Sequence, residues 1–307
     1  MIRRLLLFLS NRRWLRPLIT RYPFSRSFAW RFIAGETSDT ALAAVAALRR
    51  KGVASTLDLL GESVSDERAA RRSAEDYLAL LDEIHARGLE SHVSLKLTQM
   101  GLDLDEAVCR ANLVAILERA REYGVFVRID MEGSAHTQRT LYMFTDLRRE
   151  YEGCGVVVQS YLYRTAQDVE DLIAVGARVR LCKGAYLEPE DRAYQNKGDV
   201  DASYKRLTER LLDDGVYPAI ATHDPAMIAH ARAYVQESNI PLDRFEFQML
   251  YGIRRDLQES LAAEGYNVRC YIPFGAEWYP YFMRRLAERP ANLMFVLRNL
   301  MREGRRI

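Results

Sequence analysis

Short apolar runs alternate with amphipathic segments along most of this chain. The runs have the length of buried strands, and the segments between them show the 3.6-residue spacing of helices. Eight strands that alternate with helices over roughly 250 residues are typical of a closed parallel barrel. The pattern therefore predicts an α/β protein, a (β/α)8 TIM-like barrel. The runs begin near Val53, Ser91, Val125, Gly155, Arg178, Val216, Arg244 and Tyr266.

Capping residues mark several of the predicted helices. Thr37, Ser38 and Asp39 offer an N-cap to a helix at residues 40–51. The polar residues 187–199, which include a proline and a glycine, predict a long loop after the fifth strand. The other helices are predicted at residues 65–87, 105–123, 134–151, 165–175, 202–213, 226–237, 256–264, 279–289 and 291–302.

Residues 1–35 differ from the rest of the chain, because they contain eight arginines and no acidic residue. We interpret them as a basic, aromatic N-terminal helical arm that precedes the (β/α)8 barrel domain at residues 36–307. No stretch of the chain is long enough for a transmembrane helix. Two interpretations of the arm stay open: peripheral binding at the inner face of a membrane, or packing across the barrel or on a neighbouring subunit.

Composition narrows the functional classes. The chain has 307 residues, of which 49% are hydrophobic and 28% charged, as in one large globular domain. The formal net charge of +2 gives no reason to expect a nucleic-acid partner. The four cysteines form no C-x-x-C pair, which argues against a structural zinc site and favours a reducing, cytoplasmic location. No metal is expected.

Charged residues stand where the predicted strands end, which is where β/α barrels carry their active sites. Lys96 and Lys183 occupy two such positions, and a lysine is rarely buried without a partner. We expect Lys96 and Asp130, at the ends of strands two and three, to be neighbours, either in a functional site or in a structural ion pair. Strand alternation would place Asp130 and Glu132 on one side and Met131 on the other.

The fifth and sixth strands end in groups suited to an anion. Arg180 and Lys183 supply two cations, and Gly184 lets a ligand approach the backbone, although on its own it is more typical of a plain turn. His223 precedes a helix whose free amides favour phosphate, although a lone histidine is more often structural. The segment GCG at 153–155 precedes its strand and lacks the third glycine, so a Rossmann turn is excluded.

A further pattern lies near the C-terminus. Tyr281, Arg284, Arg285 and Glu288 share one face of a helix, because their spacing is i, i+3, i+4 and i+7. Two adjacent guanidinium groups can bind one small carboxylate, and the preceding aromatic residues can wall a small pocket. The alternative is a surface helix with an ion pair between Arg284 and Glu288.

Together these motifs resemble the proline dehydrogenase family, in its monofunctional bacterial form. The resemblance runs in order from about Phe32 to Leu300. Its motifs are LKLT at 95–98, RIDME at 128–132, QSYLYR at 159–164, KGAY at 183–186, ATHD at 221–224, FEFQ at 245–248 and LYG at 250–252, with Arg180, Tyr281, Arg284 and Arg285.

The resemblance implies a distorted barrel that binds FAD and oxidises L-proline to Δ1-pyrroline-5-carboxylate, the first step of proline catabolism to glutamate. It also implies hydride transfer from proline C5 to flavin N5, a quinone as electron acceptor, and a separate pyrroline-5-carboxylate dehydrogenase as functional partner. On the residues alone, two other functions stay open: a Schiff-base aldolase using Lys96 or Lys183, and a non-catalytic membrane or scaffold protein.

The resemblance also assigns roles to matching positions. Asp130 and Arg180 resemble catalytic-centre residues, with Arg180 near flavin N5. Glu62 resembles an acid that pairs with Arg284 to gate the pocket. The substrate-binding positions are Lys96, Tyr186, Leu250, Tyr271, Tyr281, Arg284 and Arg285, and the cofactor-binding positions are Met131, Gln159, Arg180, Lys183, Gly184, Ala185, Thr222, His223 and Glu288.

Overall fold

The computed structural model describes residues 29–61 and 63–288, the last helix only by its backbone at positions 284 and 286–288. Within these residues, eight parallel strands pair in chain order, and β1 also pairs with β8, which closes the barrel. The predicted (β/α)8 architecture is confirmed. The strands are β1 Ala54–Leu59, β2 His92–Leu95, β3 Val127–Ile129, β4 Cys154–Gln159, β5 Arg178–Cys182, β6 Ala219–Ala221, β7 Glu246–Leu250 and β8 Val268–Phe274.

Helices connect consecutive strands, with one more helix before β1 and one after β8. Side chains cap the N-termini of some of these helices: Thr37, in the predicted N-cap segment, accepts a hydrogen bond from the Thr40 amide, and Asp105 accepts from the amides of Ala107 and Val108. In the described part of the chain, the α-helices are α1 Ser38–Arg49, α2 Glu67–Ala86, α3 Glu106–Tyr123, α4 Ser134–Arg148, α5 Thr165–Ala174, α6 Lys197–Asp214, α7 Pro225–Glu237, α8 Arg255–Ala263 and α9 Trp278–Glu288.

The two faces of the barrel strands have different compositions. Apolar strand residues such as Val93, Ile129 and Leu181 pack in one core with the surrounding helices. The alternate positions carry buried polar side chains that bond to each other across the barrel, for example Arg180 to Ser94. Strand alternation thus separates an apolar layer under the helices from a polar barrel interior.

The loop after β5 is shorter than predicted. Helix α6 begins at Lys197, whereas the sequence indicated a loop up to residue 199 and a helix only from 202. The first turn of α6 tolerates Gly198 because Lys197 forms an i,i+4 ion pair with Asp201, and Asn196 donates to Asp199 at 3.3 Å.

The residues just before α1 pack on the barrel and on α9. Phe32 and Ile33 are buried in a cluster with Trp278 and Phe282 of α9. The Ala34 amide donates to the Pro273 carbonyl oxygen at 2.9 Å. Residues 1–28 and the helix predicted at 291–302 lie outside the described residues. Of the helices that are described, none is both long and apolar enough to cross a membrane.

Candidate active site

A cavity of about 660 Å³ opens at the C-terminal ends of the strands. Its volume is typical of a small-molecule or cofactor site. The structure brings together at this cavity every predicted site residue whose side chain it describes. These are Lys96, Asp130, Met131, Gln159, Arg180, Lys183, Gly184, Ala185, Tyr186, Thr222, His223, Leu250, Tyr271, Tyr281 and Arg285.

Three predicted site residues lie outside this description. Glu62 is not among the described residues, and the side chains of Arg284 and Glu288 are not described. The gate formed by Glu62 with Arg284, and the pairing of two arginines on one carboxylate, therefore stay predictions. Arg285 does reach the cavity, where its guanidinium carbon lies 5.1 Å from the centre of the Tyr281 ring.

Arg180, near the floor of the cavity, is held through all three of its nitrogen atoms. Its Nη1 donates to Asp130 Oδ1 at 2.7 Å, its Nη2 to Ser94 Oγ at 3.2 Å, and its Nε to Gln248 Oε1 at 2.5 Å. These partners belong to or follow β3, β2 and β7. Three bonds from three directions fix both the position and the plane of the guanidinium group.

Lys96 lies between two carboxylates. Its Nζ donates to Asp58 Oδ1 at 3.1 Å and stands 3.9 Å from Asp130 Oδ2, which confirms the expected proximity of Lys96 and Asp130. Asp58 is buried, and this burial raises the pKa of its carboxyl group, with Asp130 adding to the rise and Lys96 opposing it. The two carboxyl groups thus hold the lysine side chain between them in a site with little solvent.

Tyr271 completes this cluster from β8. Its hydroxyl donates to Asp130 Oδ2 at 2.6 Å, and its ring centre lies 5.1 Å from the guanidinium carbon of Arg180. Burial, together with the nearby Asp130, holds the pKa of Tyr271 well above its usual value, so the phenol stays protonated and remains a donor. Asp130 is thus fixed by Arg180, Tyr271 and Ser94, whose hydroxyl donates at 3.1 Å.

The expected alternation from Asp130 to Glu132 is wrong. Asp130 and Met131 both line the cavity, while Glu132 turns away and accepts hydrogen bonds from the Thr98 amide at 3.1 Å and hydroxyl at 2.6 Å. The reason is that β3 ends at Ile129, so the alternation of an extended strand no longer applies beyond it.

A second charged group lies where β5, α6 and α7 meet. Lys183 donates to Asp201 of α6 and, at 2.8 Å, to Asp224, which caps the N-terminus of α7. The hydrogen bond from Lys183 lowers the pKa of Asp224. His223 lines the cavity. Its Nε2 accepts a hydrogen bond from the Leu250 amide at 2.7 Å, and this bond anchors the end of β7.

Backbone conformation and close packing explain why residue 184 is a glycine. Its φ is +119°, and a Cβ atom at this position would overlap the ring of Tyr161. Close packing on Tyr161 therefore requires glycine here, whether or not a ligand approaches the same backbone.

Sequence reasoning gave no specific role to several residues that line the cavity. Asp58, Asp224, Gln248 and Met249 stand among the strand endings where the sequence predicts the site, but no contact of theirs was predicted. Lys197 was missed because it fell in the predicted loop. The lining residues without a predicted role are Asp58, Val157, Cys182, Lys197, Ala221, Asp224, Pro225, Gln248 and Met249. Among the residues that the structure describes, no group of three or more His, Cys, Asp or Glu side chains is arranged to hold a metal ion.

The closed barrel with a cation-rich cavity at its C-terminal face defines a β/α-barrel enzyme. The profile of the family described as proline dehydrogenase matches residues 41–298. The chain belongs to the proline dehydrogenase family, as its motifs indicated, and is therefore an oxidoreductase. This membership favours the oxidoreductase over the aldolase and scaffold hypotheses.

Individual relatives agree with this assignment. Proline dehydrogenase 1 of Bacillus subtilis is 42% identical over 303 residues, which cover 99% of this chain and 100% of the relative. The proline dehydrogenase of Deinococcus radiodurans is 44% identical over 281 residues, 90% of this chain and 91% of the relative. The fold is similar to a crystal structure of proline utilization A from Bdellovibrio bacteriovorus inactivated by N-propargylglycine, with a TM-score of 0.80 and 29% identity; the match covers 85% of this chain and 32% of that protein.

Proposed function

We propose that this protein catalyses the FAD-dependent oxidation of L-proline to Δ1-pyrroline-5-carboxylate. The observation that carries the proposal is the cavity that joins Lys96 and Arg285 with the rings of Tyr271 and Tyr281, in a chain of the proline dehydrogenase family. Cations suit the carboxylate of a small amino acid, and aromatic walls suit its ring.

The residues around the cavity fit a flavin dinucleotide. Lys183, Lys197 and the N-terminus of α7 at Pro225 line one wall of the cavity, where Asp201 and Asp224 are the present partners of the two lysines. A bound pyrophosphate would accept hydrogen bonds from these ammonium groups in competition with the two carboxylates. Met131 and Leu250 supply apolar surface for a flat ring, and Gln159, held by donation to the Glu132 carbonyl oxygen at 2.9 Å, supplies a fixed amide. A bound FAD would accept at N5 the hydride that leaves proline C5.

The chain's own residues would bind and orient the substrate. Lys96 and Arg285, joined by Arg284, would hold the proline carboxylate, which fixes C5 at one place in the cavity. Asp58 and Asp130 hold the Lys96 ammonium group in place. Arg180, held by Asp130, would place a positive charge where negative charge develops during the reaction.

The proposal extends to electron transfer and cellular context. We propose a membrane quinone as electron acceptor, a cytoplasmic location with peripheral contact at the inner membrane face, and a separate pyrroline-5-carboxylate dehydrogenase that consumes the product. These elements are supported by the motif resemblance alone.

The absorbance spectrum of the purified protein, before and after addition of L-proline, tests the function directly. We expect the visible absorption bands of a bound flavin, and we expect L-proline to bleach them under anaerobic conditions. A colourless protein that takes up no FAD, or a flavin that L-proline leaves oxidised, would overturn the proposal.

Substitution of Arg285 tests the carboxylate clamp. We expect Arg285→Met to raise the proline KM by about tenfold or more while FAD stays bound, since a charge-assisted hydrogen bond to the carboxylate is lost. Arg284→Met is predicted to act in the same way. Arg232→Met, which removes a half-buried arginine that pairs with Glu264 and does not line the cavity, is the matched control and should leave the KM unchanged. An unchanged KM in both clamp variants would refute the assignment.

A further inference from the structure

Gln248 connects Arg180 to an ion pair deep in the barrel. The Gln248 side chain is 3% exposed, and its Oε1 accepts the hydrogen bond from Arg180 Nε at 2.5 Å. Its Nε2 donates in turn to Glu246 Oε1 on the same strand. Glu246 is 1% exposed and pairs with Arg269 Nε at 2.9 Å, and Arg269 Nη1 donates to the Ser55 carbonyl oxygen at 2.7 Å.

This chain of bonds fixes which way the Gln248 amide points. An amide can present either its oxygen or its nitrogen to a neighbour, and only the surrounding hydrogen bonds decide between the two. Both oxygens of Glu246 accept from Arg269 Nε, so this carboxylate acts as an acceptor and the amide nitrogen must face it. The amide oxygen then faces Arg180, which only donates. In this orientation both ends of the amide form hydrogen bonds. In the reverse orientation its oxygen would face the Glu246 carboxylate and its nitrogen would face the Arg180 donor.

We propose that Gln248 is a positioning residue of the reaction: locked by the Glu246–Arg269 ion pair, it sets the plane of the Arg180 guanidinium group. The inference rests on the proposed function, in which Arg180 stabilises negative charge that develops on the cofactor. Asp130 and Ser94 accept hydrogen bonds from the two terminal nitrogens of Arg180. Gln248 accepts from Nε and so fixes the third edge of the guanidinium group.

A neutral side chain at this position fits the charges around it. Arg180 of β5 and Glu246 of β7 bond to the amide, and Arg269 of β8 stands opposite Gln248 in the β7–β8 register. Arg128 of β3 lies within electrostatic reach of both Arg180 and Glu246. A carboxylate here would stand against Glu246, and an apolar group would leave Arg180 Nε without an acceptor. An amide meets both requirements, because it donates to Glu246 and accepts from Arg180.

Removal of the amide tests the link to Arg180. We expect Gln248→Leu, which keeps a similar shape, to lower kcat by about tenfold to a hundredfold, since a small displacement of a charge-stabilising group has effects of this size. The flavin midpoint potential should become more negative, because the reduced form loses stabilisation. The proline KM should change much less, since Lys96 and Arg285 are untouched. An unchanged kcat together with an unchanged potential would overturn the inference.

Gln248→Glu separates positioning from a merely structural role. The protonated carboxyl group would donate to Glu246 through its hydroxyl and accept from Arg180 through its carbonyl oxygen, which reproduces the pattern of the amide. Loss of that proton sets two carboxylates against each other. We therefore expect kcat near that of wild type on the acid side, and a decline with rising pH through one ionisation that the wild-type profile lacks. A pH profile that parallels wild type would contradict the inference.

An amide at the opposite end of the barrel provides the control. Asn267, just before β8, donates through Nδ2 to the carbonyl oxygens of Leu242 and Phe245, and it does not line the cavity. Asn267→Leu should lower thermal stability but leave the flavin potential and the shape of the pH profile as in wild type. The outcomes also separate the two proposals. A wild-type protein that L-proline does not reduce refutes the function, whereas normal reduction in wild type and Gln248 variants alike refutes only the positioning role.

Discussion

Gly184 and Tyr161 show how one position in the site depends on the absence of a side chain. Gly184 follows Lys183 directly, so its backbone sets the direction in which the strand leaves the barrel. At a φ of +119°, residues with a Cβ atom are strained, and here the Cβ atom would also overlap a buried aromatic ring. The ring belongs to Tyr161, which is 7% exposed and has little room to move.

We predict that Gly184→Ala destabilises the protein by at least about 2 kcal/mol, because backbone strain and overlap act together. The expected result is a lower melting temperature and weaker FAD binding, measured by thermal unfolding and by fluorescence titration. Gly198→Ala is the matched control, since a Cβ atom there meets nothing within 4 Å in the first turn of α6. Equal behaviour of the two variants would show that the conformation of Gly184 is not required.

Individual residues also mark the limit of sequence reasoning. The pairing of Lys96 with Asp130 was predictable, because the carboxyl ends of neighbouring strands meet at one face of a barrel. The closer partner, Asp58, was visible as an acid at the end of a predicted strand, but its pairing with Lys96 was not predicted. Gln248 stood among the predicted strand endings, but its role was not predicted, because that role depends on Glu246 and Arg180. The sequence shows neither the orientation of an amide nor a contact between distant strands.

At the scale of elements, helices and strands were predicted well where periodicity runs long, and poorly at their ends. The helix predicted from residue 105 and the observed α3, Glu106–Tyr123, differ by one residue at the start. The start of α6 was misplaced because Gly198 is a poor helix former, while the ion pair that offsets it belongs to the folded helix. The end of β3 depends on pairing with its neighbours, which no local pattern records.

Lysine–aspartate pairs stabilise the place where β5, α6 and α7 meet. Asp201 accepts from Lys183 and Lys197, and Asp224 accepts from Lys183. Burial acts to raise the pKa of Asp201, but the hydrogen bonds from the two lysines outweigh it, so the pKa is lowered from 3.8. A carboxyl group with a lowered pKa in the folded state stabilises the fold above its ordinary pKa, and this contribution is lost as the pH falls through the folded value.

We therefore predict that Asp201→Asn lowers the melting temperature of the holoprotein at pH 7. The difference from wild type should shrink as the pH falls below 3.8, where wild type also loses the charge. Thermal unfolding across the acid range measures this. Asp256→Asn, which removes an exposed pair with Arg254, is the control and should change the melting temperature little. A difference that stays constant with pH would contradict the charge argument.

At the scale of the whole molecule, residues 29–34, before α1, contact both β8, the strand that closes the barrel, and α9, the helix that carries Arg285. Phe32 is 4% exposed and Ile33 is 1% exposed, and both pack in one cluster with Trp278 and Phe282 of α9. Arg285 lies on the same helix as these two aromatic residues. Support of α9 from residues 29–34 is therefore support for the proposed carboxylate clamp.

Two truncations test this connection. Removal of residues 1–34 should lower the melting temperature and raise the proline KM, because it exposes the apolar surface of α9 and loosens the helix that carries Arg285. Removal of residues 1–28 alone takes away none of the described contacts and should leave flavin content and proline reduction of the flavin as in the full chain. Quinone reduction at vesicles, measured on the same two proteins, examines the membrane interpretation of the arm separately. Loss of flavin after removal of residues 1–28 would show that the basic arm belongs to the catalytic core. An unchanged KM after removal of residues 1–34 would show that α9 holds Arg285 in place without residues 29–34.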